Sequence, residues 1–123
     1  MINKRILGGR YEALAMEHAA ASGASPVESN FRCRMGEIDL IFTDEGYLVF
    51  AEVKYRSGNT FGSAFEAVSK SKMRTICKVA DFYRLTHKLP DDLPVRYDVF
   101  ALETGEDQAV KISWIKNAFE HIY

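Results

Sequence analysis

The stretch GEIDLIFTDEGYLVFAEVK, residues 36–54, decides the fold. Two runs rich in β-branched and aromatic residues, Ile38 to Thr43 and Tyr47 to Val53, flank Asp44-Glu45-Gly46 and predict an antiparallel hairpin. Apolar residues fall on both faces of this hairpin, with Ile38, Leu40 and Phe42 expected on one face and Ile41, Leu48 and Phe50 on the other. Strands that are apolar on both faces are typical of the centre of a sheet covered on each side.

The elements around the hairpin indicate an α/β sandwich rather than an alternating βαβ chain. Helical spacing with a plausible N-cap at Ser69 predicts a long helix, and the order α-β-β-β-α-β-β-α predicts one domain over residues 1–123. The predicted elements outside the hairpin are a helix from Gly9 to about Ser22, a strand from Val27 to Arg32, a break at Ser57-Gly58-Asn59, a helix from about Ser69 to His87, strands from Val95 to Leu102 and from Ala109 to Ile112, and a short closing helix from Ile115 to Ile122.

Composition is that of an ordinary globular chain, with 47% hydrophobic and 27% charged residues among 123. No apolar run approaches the roughly 18 residues needed to span a bilayer, so we expect a cytoplasmic protein without a membrane partner. Cys33 and Cys77 lie in no metal-binding spacing and are expected to be reduced thiols.

The net charge of −1 counts against nucleic-acid binding, which usually requires many basic residues. The basic residues are concentrated in the middle of the chain, so a basic face is still possible, although a charge run is more often a solvated surface. The central basic residues are Lys54, Arg56, Lys70, Lys72, Arg74 and Lys78.

The hairpin geometry brings two acids together. If Glu45-Gly46 forms a two-residue turn, residues whose numbers add up to 91 face each other, and Asp39 stands opposite Glu52. Cβ atoms in such pairs lie about 4.5–5.5 Å apart. Lys54 follows on the same face as Glu52, whereas a three-residue turn would separate Asp39 from Glu52.

Two hard oxygen ligands beside an ammonium group suit metal-assisted phosphodiester hydrolysis. The carboxylates would hold Mg²⁺, or Mn²⁺ as a substitute, and Lys54 would orient or deprotonate the attacking water. The alternative is a solvated hairpin edge on which Asp39, Glu52 and Lys54 form only a cross-strand ion network. Ile41 and Phe50 nearby favour a covered surface over that alternative.

The spacing of Asp39 and Glu52-Val53-Lys54 resembles the D…(D/E)xK signature of the restriction-endonuclease-like superfamily. Three motifs, GEIDLI (36–41), FAEVKYR (50–56) and RYDV (96–99), are together similar to the YraN-like family of predicted endonucleases, over about Gly9 to Phe119. The resemblance implies a three-layer restriction-endonuclease-like sandwich with a central mixed sheet and a metal-dependent endonuclease that acts on nucleic acid, DNA being expected over RNA and branched or single-stranded forms being candidates.

The resemblance also implies roles for particular residues. Asp39, Glu52, Lys54 and Glu12 would be catalytic; Asp39, Glu52, Glu12 and Val53 would bind the metal; Lys72 and Arg56 would bind substrate. Glu12 matches a helical glutamate of the similar archaeal Holliday-junction resolvases, and these imply a homodimer. Surface positions without a role are the alternative for Glu12 and Lys72.

Three other residues have a mainly structural interpretation. Glu37 faces Lys54 in the predicted register and would steady it or form a salt bridge at the rim, while Asp98 is expected to pair with Arg96 or Arg56. Trp114 is expected to pack in the core.

Two other functional classes compete with a nuclease. A nucleic-acid-binding module without catalysis would keep the fold, but it would not need Asp39, Glu52 and Lys54 together. A glycosidase would use paired carboxylates, yet the chain lacks the size and the aromatic cleft usual for sugar binding.

Overall fold

The computed structural model describes residues 4–57 and 68–123, with the side chains of residues 9–56 and 68–123. Gly58 and Asn59 of the predicted break lie outside the described residues. The described elements are α1 (Lys4–Ala21), β1 (Ser25–Cys33), β2 (Gly36–Asp44), β3 (Tyr47–Ser57), α2 (Lys70–Thr86), β4 (Val95–Thr104) and β5 (Val110–Phe119).

The five strands form one mixed sheet in the order β1-β2-β3-β4-β5. Only the β3–β4 pairing is parallel among the described strands, and α2 lies between these two strands in the chain, as a parallel crossover requires. Ser69 caps α2 by accepting a hydrogen bond from the Lys72 N–H at 3.1 Å. The predicted α/β class, mixed sheet and N-cap are confirmed.

One helix covers each face of the sheet. Both faces of the hairpin are therefore buried, as predicted. The cluster under α2 contains Ile38, Ile41, Leu48, Phe50, Tyr97 and the α2 residues Ile76, Cys77, Val79, Ala80 and Tyr83. The cluster under α1 contains Ala15, Ala19, Ala24, Leu40, Phe42, Val49, Ala51, Phe100 and Leu102, with Trp114 packed against it.

The hairpin turn has the predicted length. Glu45 and Gly46 have φ values of 52° and 85°, as a two-residue type I′ turn requires. The pairs Ile41↔Phe50 and Leu40↔Ala51 follow the predicted register. This pairing ends at Leu40↔Ala51, one position before Asp39 and Glu52 would face each other.

The predicted alternation along β2 is wrong at Ile38. Ile38 packs under α2 with Ile41, and not on the face that holds Leu40. The irregularity coincides with Asn30 in β1, which has a φ of 56° and lies opposite Asp39. A residue in the left-handed region interrupts the pleat, so strict alternation does not continue through this point.

The predicted closing helix is also wrong, because residues 110–119 form the single strand β5. Ile115, Ala118, Phe119 and Ile122 have the spacing of a helical stripe. Instead, a register shift between Tyr97 and Val99 gives β5 more residues than β4 in this interval, and Asn117 has a φ of 53°. A bulge of this kind mimics helical spacing in the sequence.

Arg96 joins two acids inside the sheet. Its guanidinium donates to both oxygens of Asp98, at 2.9 and 2.8 Å, and to Asp44 at 2.8 Å. Asp98 also accepts from the Trp114 indole at 2.8 Å. The predicted Arg96–Asp98 pair and the packing role of Trp114 are confirmed.

Two further observations concern the predicted class of protein. Cys33 and Cys77 are both free thiols. Within residues 4–57 and 68–123, neither helix combines the length and apolar character needed to cross a membrane.

Candidate functional site

The candidate site lies where β2 leaves β3. Beyond Leu40↔Ala51 the two strands no longer pair, whereas β3 remains paired with β4 as far as Ser57. The Asp39 carboxylate takes the place of the missing strand by accepting a hydrogen bond from the Val53 N–H at 2.8 Å. This bond fixes one oxygen of Asp39 beside the exposed edge of β3.

Three carboxylates from two elements meet at this point. Glu12 on α1 and Glu37 and Asp39 on β2 each contribute an oxygen, and these atoms lie within 4.8 Å of one another. Glu37 also accepts a hydrogen bond from Arg32 at 2.8 Å. The three acids form a compact set of hard oxygen donors of the kind that Mg²⁺ and Mn²⁺ prefer.

Glu52 extends this set toward α2 and is 5% exposed. Lys54 lies 3.6 Å from its Oε1 and Lys72 lies 3.8 Å from its Oε2. No group in the described part of the chain donates a hydrogen bond to the buried Oε2. Buried carboxylate oxygens usually have such a donor, so Oε2 is available to coordinate a metal cation.

The pKa values of these acids reflect their crowding. Burial, followed by the charge of Asp39, raises the pKa of Glu52 to about 8. The same two causes raise the pKa of Glu12 to about 7. Burial also raises the pKa of Asp39, although the Val53 N–H opposes this. The two lysines offset only part of the repulsion, and a bound cation would remove the rest.

Val53 contributes main-chain groups to the site. Its N–H points toward β2, and the N–H and C=O of one strand residue point in the same direction. The Val53 carbonyl therefore faces the side of β3 from which β2 has departed. Since the valine side chain has no donor atom, this main-chain carbonyl is the group through which Val53 can bind a metal.

Most of the residues singled out in the sequence meet here. Glu12, Asp39, Glu52, Val53, Lys54 and Lys72 all lie around the point where β2 and β3 separate. Arg56 lies two residues beyond Lys54 on the same strand, opposite Glu103, and its Nε has no hydrogen-bond partner among the described residues. It makes no described contact with the acids.

Of the two roles expected for Glu37, the structure has the salt bridge, which Glu37 forms with the exposed Arg32 at 2.8 Å; it forms no described salt bridge with Lys54. Glu37 is also the acid that sequence reasoning missed as a candidate ligand. Its position two residues before Asp39 was the available signal, because acids so close in the chain are able to reach the same cation even where the strand alternation is interrupted.

Comparisons with known proteins agree on one family. The model of the uncharacterised protein family UPF0102 matches residues 11–102. A Shewanella oneidensis UPF0102 protein is 43% identical over 113 residues, covering 92% of this chain and 98% of the relative. A Lachnoclostridium phytofermentans UPF0102 protein is 39% identical over 119 residues, covering 97% of both chains.

A third relative, the Legionella pneumophila UPF0102 protein lpg2994, is 37% identical over 109 residues, covering 89% of this chain and 90% of the relative. The matched region includes Glu12, the hairpin, α2 and most of β4. The YraN-like identification drawn from three motifs is thereby confirmed at the level of the family, and the chain belongs to the uncharacterised protein family UPF0102.

Proposed function

We propose that this protein is a metal-dependent nuclease that hydrolyses phosphodiester bonds, with DNA as the expected substrate. One observation carries the proposal: the carboxylates of Glu12, Glu37 and Asp39 converge at the point where β2 leaves β3, and the buried carboxylate of Glu52 lies near Asp39 and 3.6 Å from Lys54. Surface ion networks rarely bury an acid as deeply as Glu52 while leaving one of its oxygens without a hydrogen bond.

The donor set suits a hard divalent cation. Glu12, Asp39, Glu52 and the Val53 carbonyl would hold Mg²⁺ or Mn²⁺, with Glu37 as an additional oxygen donor. When bound, the cation supplies Lewis-acid activation of the phosphate and of water. The Glu52 Oε2, which has no hydrogen-bond donor and only the Lys72 ammonium 3.8 Å away, and the raised pKa of Glu12 both fit such a group, since each marks an acid that the described residues stabilise only in part.

The two lysines serve the phosphate. Lys54 is about one-third exposed, so its ammonium group reaches both Glu52 and the solvent side of the site. Lys72 contacts the other oxygen of Glu52 from the first turn of α2, where main-chain N–H groups also favour an anion. Together they would orient the scissile phosphate and offset the charge that develops as water attacks phosphorus and the ester bond breaks.

Cleavage assays test the proposal. The purified protein is incubated with linear, flapped and four-way DNA and with RNA, in Mg²⁺, in Mn²⁺ and in chelator. We expect cleavage only with metal, and a loss of at least about 100-fold in Glu52→Gln and in Lys54→Ala, a size typical of removing one transition-state contact. The matched control is Glu106→Gln, an exposed acid in the β4–β5 loop, which should retain full activity.

Two results would overturn the proposal. One is cleavage that persists in chelator or in both site variants. The other is nucleic-acid binding without cleavage of any substrate, which would indicate a binding module that keeps the fold.

A further inference from the structure

Two tyrosines stack beside the candidate site. The rings of Tyr11 on α1 and Tyr55 on β3 lie 3.9 Å apart at an angle of 12°. The Tyr55 hydroxyl is tethered to Thr104 Oγ1 at 2.9 Å, which holds the end of the side chain in place, while stacking on Tyr11 orients the plane of the ring. Both residues are only partly buried, and both pack against the edge of the cluster under α1.

The pair is joined directly to the residues of the candidate site. Tyr11 precedes Glu12, and Tyr55 follows Lys54, with consecutive Cα atoms about 3.8 Å apart. Tyr55 and Val53 both pack on the α1 side of the sheet, whereas Lys54 and Glu52 contact the α2 side. The rings therefore lie on the opposite side of the sheet from the contacts of the two lysines with Glu52.

We propose that Tyr11 and Tyr55 form a stacking platform for an unpaired nucleobase of the substrate, next to the phosphate held at the candidate site. This inference rests on the proposed function. An aromatic face binds any base by stacking, but only a base that is free of its own helical stack is able to reach it. The substrate class is therefore nucleic acid with single-stranded character at the cleavage point, such as a strand, a flap or a junction with unpaired bases, and not continuous duplex.

The orientation of the pair supports this role over simple packing of α1. The mutual stacking of Tyr11 and Tyr55 already orients both rings, which limits the conformational freedom lost when a ligand stacks on them and so favours binding. A pair that served only the core would gain most from full burial, as for Phe42 and Phe100 beneath α1, which are both 0% exposed.

Fluorescence of 2-aminopurine tests the proposal, because stacking on an aromatic ring quenches it. The probe is placed near the centre of single-stranded DNA, single-stranded RNA, a flapped duplex and a fully paired duplex, in Ca²⁺ or chelator to prevent cleavage. We expect quenching on the unpaired probes. In Tyr11→Leu we expect binding of those probes to weaken at least roughly fivefold. Tyr55→Leu serves as the second variant in case one of them fails to fold.

The controls separate stacking from stability. Tyr55→Phe keeps the ring and should keep the quenching, and Tyr47→Leu removes an exposed tyrosine at the opposite end of β3 and should change nothing. Unchanged quenching in a folded Tyr11→Leu or Tyr55→Leu protein would overturn the platform. Equal quenching of paired and unpaired probes would overturn the substrate class.

The outcomes are distinguishable from those of the cleavage assay. Metal-dependent cleavage with quenching that does not depend on the rings would leave the nuclease standing and remove the platform. Ring-dependent quenching without cleavage of any substrate would remove the nuclease and leave a single-strand binding surface.

Discussion

At the scale of single residues, Glu52 is a buried acid whose surroundings disfavour its charged form. It lies against Lys54 and Lys72, yet its pKa rises to about 8 because burial and the Asp39 charge outweigh both lysines. The charged form of Glu52 therefore lowers the stability of the metal-free protein. A side chain kept at such a cost is typical of functional sites.

Removing this charge should stabilise the metal-free protein. We expect Glu52→Gln to raise its free energy of unfolding by on the order of 1 kcal/mol near pH 8, because one buried negative charge beside Asp39 is lost. The same variant should lose most of the increase in melting temperature that Mn²⁺ gives the unmodified protein. Thermal unfolding in chelator and in Mn²⁺ measures both effects. A less stable metal-free Glu52→Gln protein that still responds fully to Mn²⁺ would contradict this prediction, and Glu106→Gln should behave as the unmodified protein.

At the scale of elements, the β1–β2 turn is fitted closely against α2. A Cβ added to Gly36 would lie 2.6 Å from Thr75 Cγ2 and 3.4 Å from Val79 Cγ2. The close approach sets the distance between α2 and the start of β2, where Glu37 and Asp39 follow within three residues. The first turns of α2 also carry Lys72, so this contact fixes the lysine relative to the acids.

Gly36→Ala should therefore destabilise the protein by about 1–3 kcal/mol through overpacking. Adding Thr75→Ser, which removes Cγ2, should restore part of the loss, so that the two changes are not additive. Urea unfolding of the single and double variants measures this. Gly9→Ala is the matched control, because nothing lies within 4 Å of its added Cβ and alanine favours the helix. Strictly additive effects would show that Thr75 is not the obstacle.

The elements that the sequence could predict were those fixed by local chemistry. Glu45-Gly46 determined the turn and hence the register that carries Asp39 toward Glu52, and Ser69 marked the start of α2. Two features depended on contacts between distant segments. One is the interrupted pleat at Asn30, opposite Asp39, and the other is the register shift in β5, which gives that strand the spacing of a helical stripe. Neither feature can be recognised from the neighbouring sequence alone.

Most residues of the candidate site could likewise be predicted from the sequence. Glu12, Lys54 and Lys72 each carried a separate indication in the sequence, and their side chains do lie near Asp39 or Glu52. Glu37 was expected opposite Lys54 because the predicted ladder was extended beyond Leu40, where the strands in fact separate. The separation of β2 from β3 depends on a contact between distant residues, since the Asp39 carboxylate accepts the Val53 N–H in place of a main-chain carbonyl of a neighbouring strand.

At the scale of the whole molecule, a buried ion network joins the far end of the hairpin to β4. Asp44 is 5% exposed and accepts from Arg96 at 2.8 Å, while Lys116 on β5 lies 3.1 Å away. Burial alone would raise the pKa of Asp44, but its bonds with Arg96 and Lys116 outweigh burial and lower it. The network therefore ties β2, β4 and β5 together through charge.

The sign of the pH dependence follows from this lowered pKa. The stabilisation from Asp44 is fully present above its ordinary pKa of about 3.9 and is lost as the pH falls through and below that value. Asp44→Asn should lower the free energy of unfolding by about 1.5–3 kcal/mol at pH 7, and should make it less dependent on pH between 5 and 3. Urea unfolding across this range measures both effects. An unchanged pH dependence would contradict the prediction, and Glu45→Gln, which alters an exposed acid 3.9 Å from Lys116, should have little effect.

The separation of β2 from β3 also bears on solubility. From Val53 onward β3 has β4 on one side only, among the described strands, and such a bare strand flank invites a neighbouring molecule to add its own backbone. Asp39 accepts the hydrogen bond of the Val53 N–H where the two strands separate, and an incoming apolar segment would have to cover the neighbouring carboxylates, which costs free energy of desolvation. The carboxylates that are candidate ligands for a cation thus also disfavour edge-to-edge aggregation of the sheet.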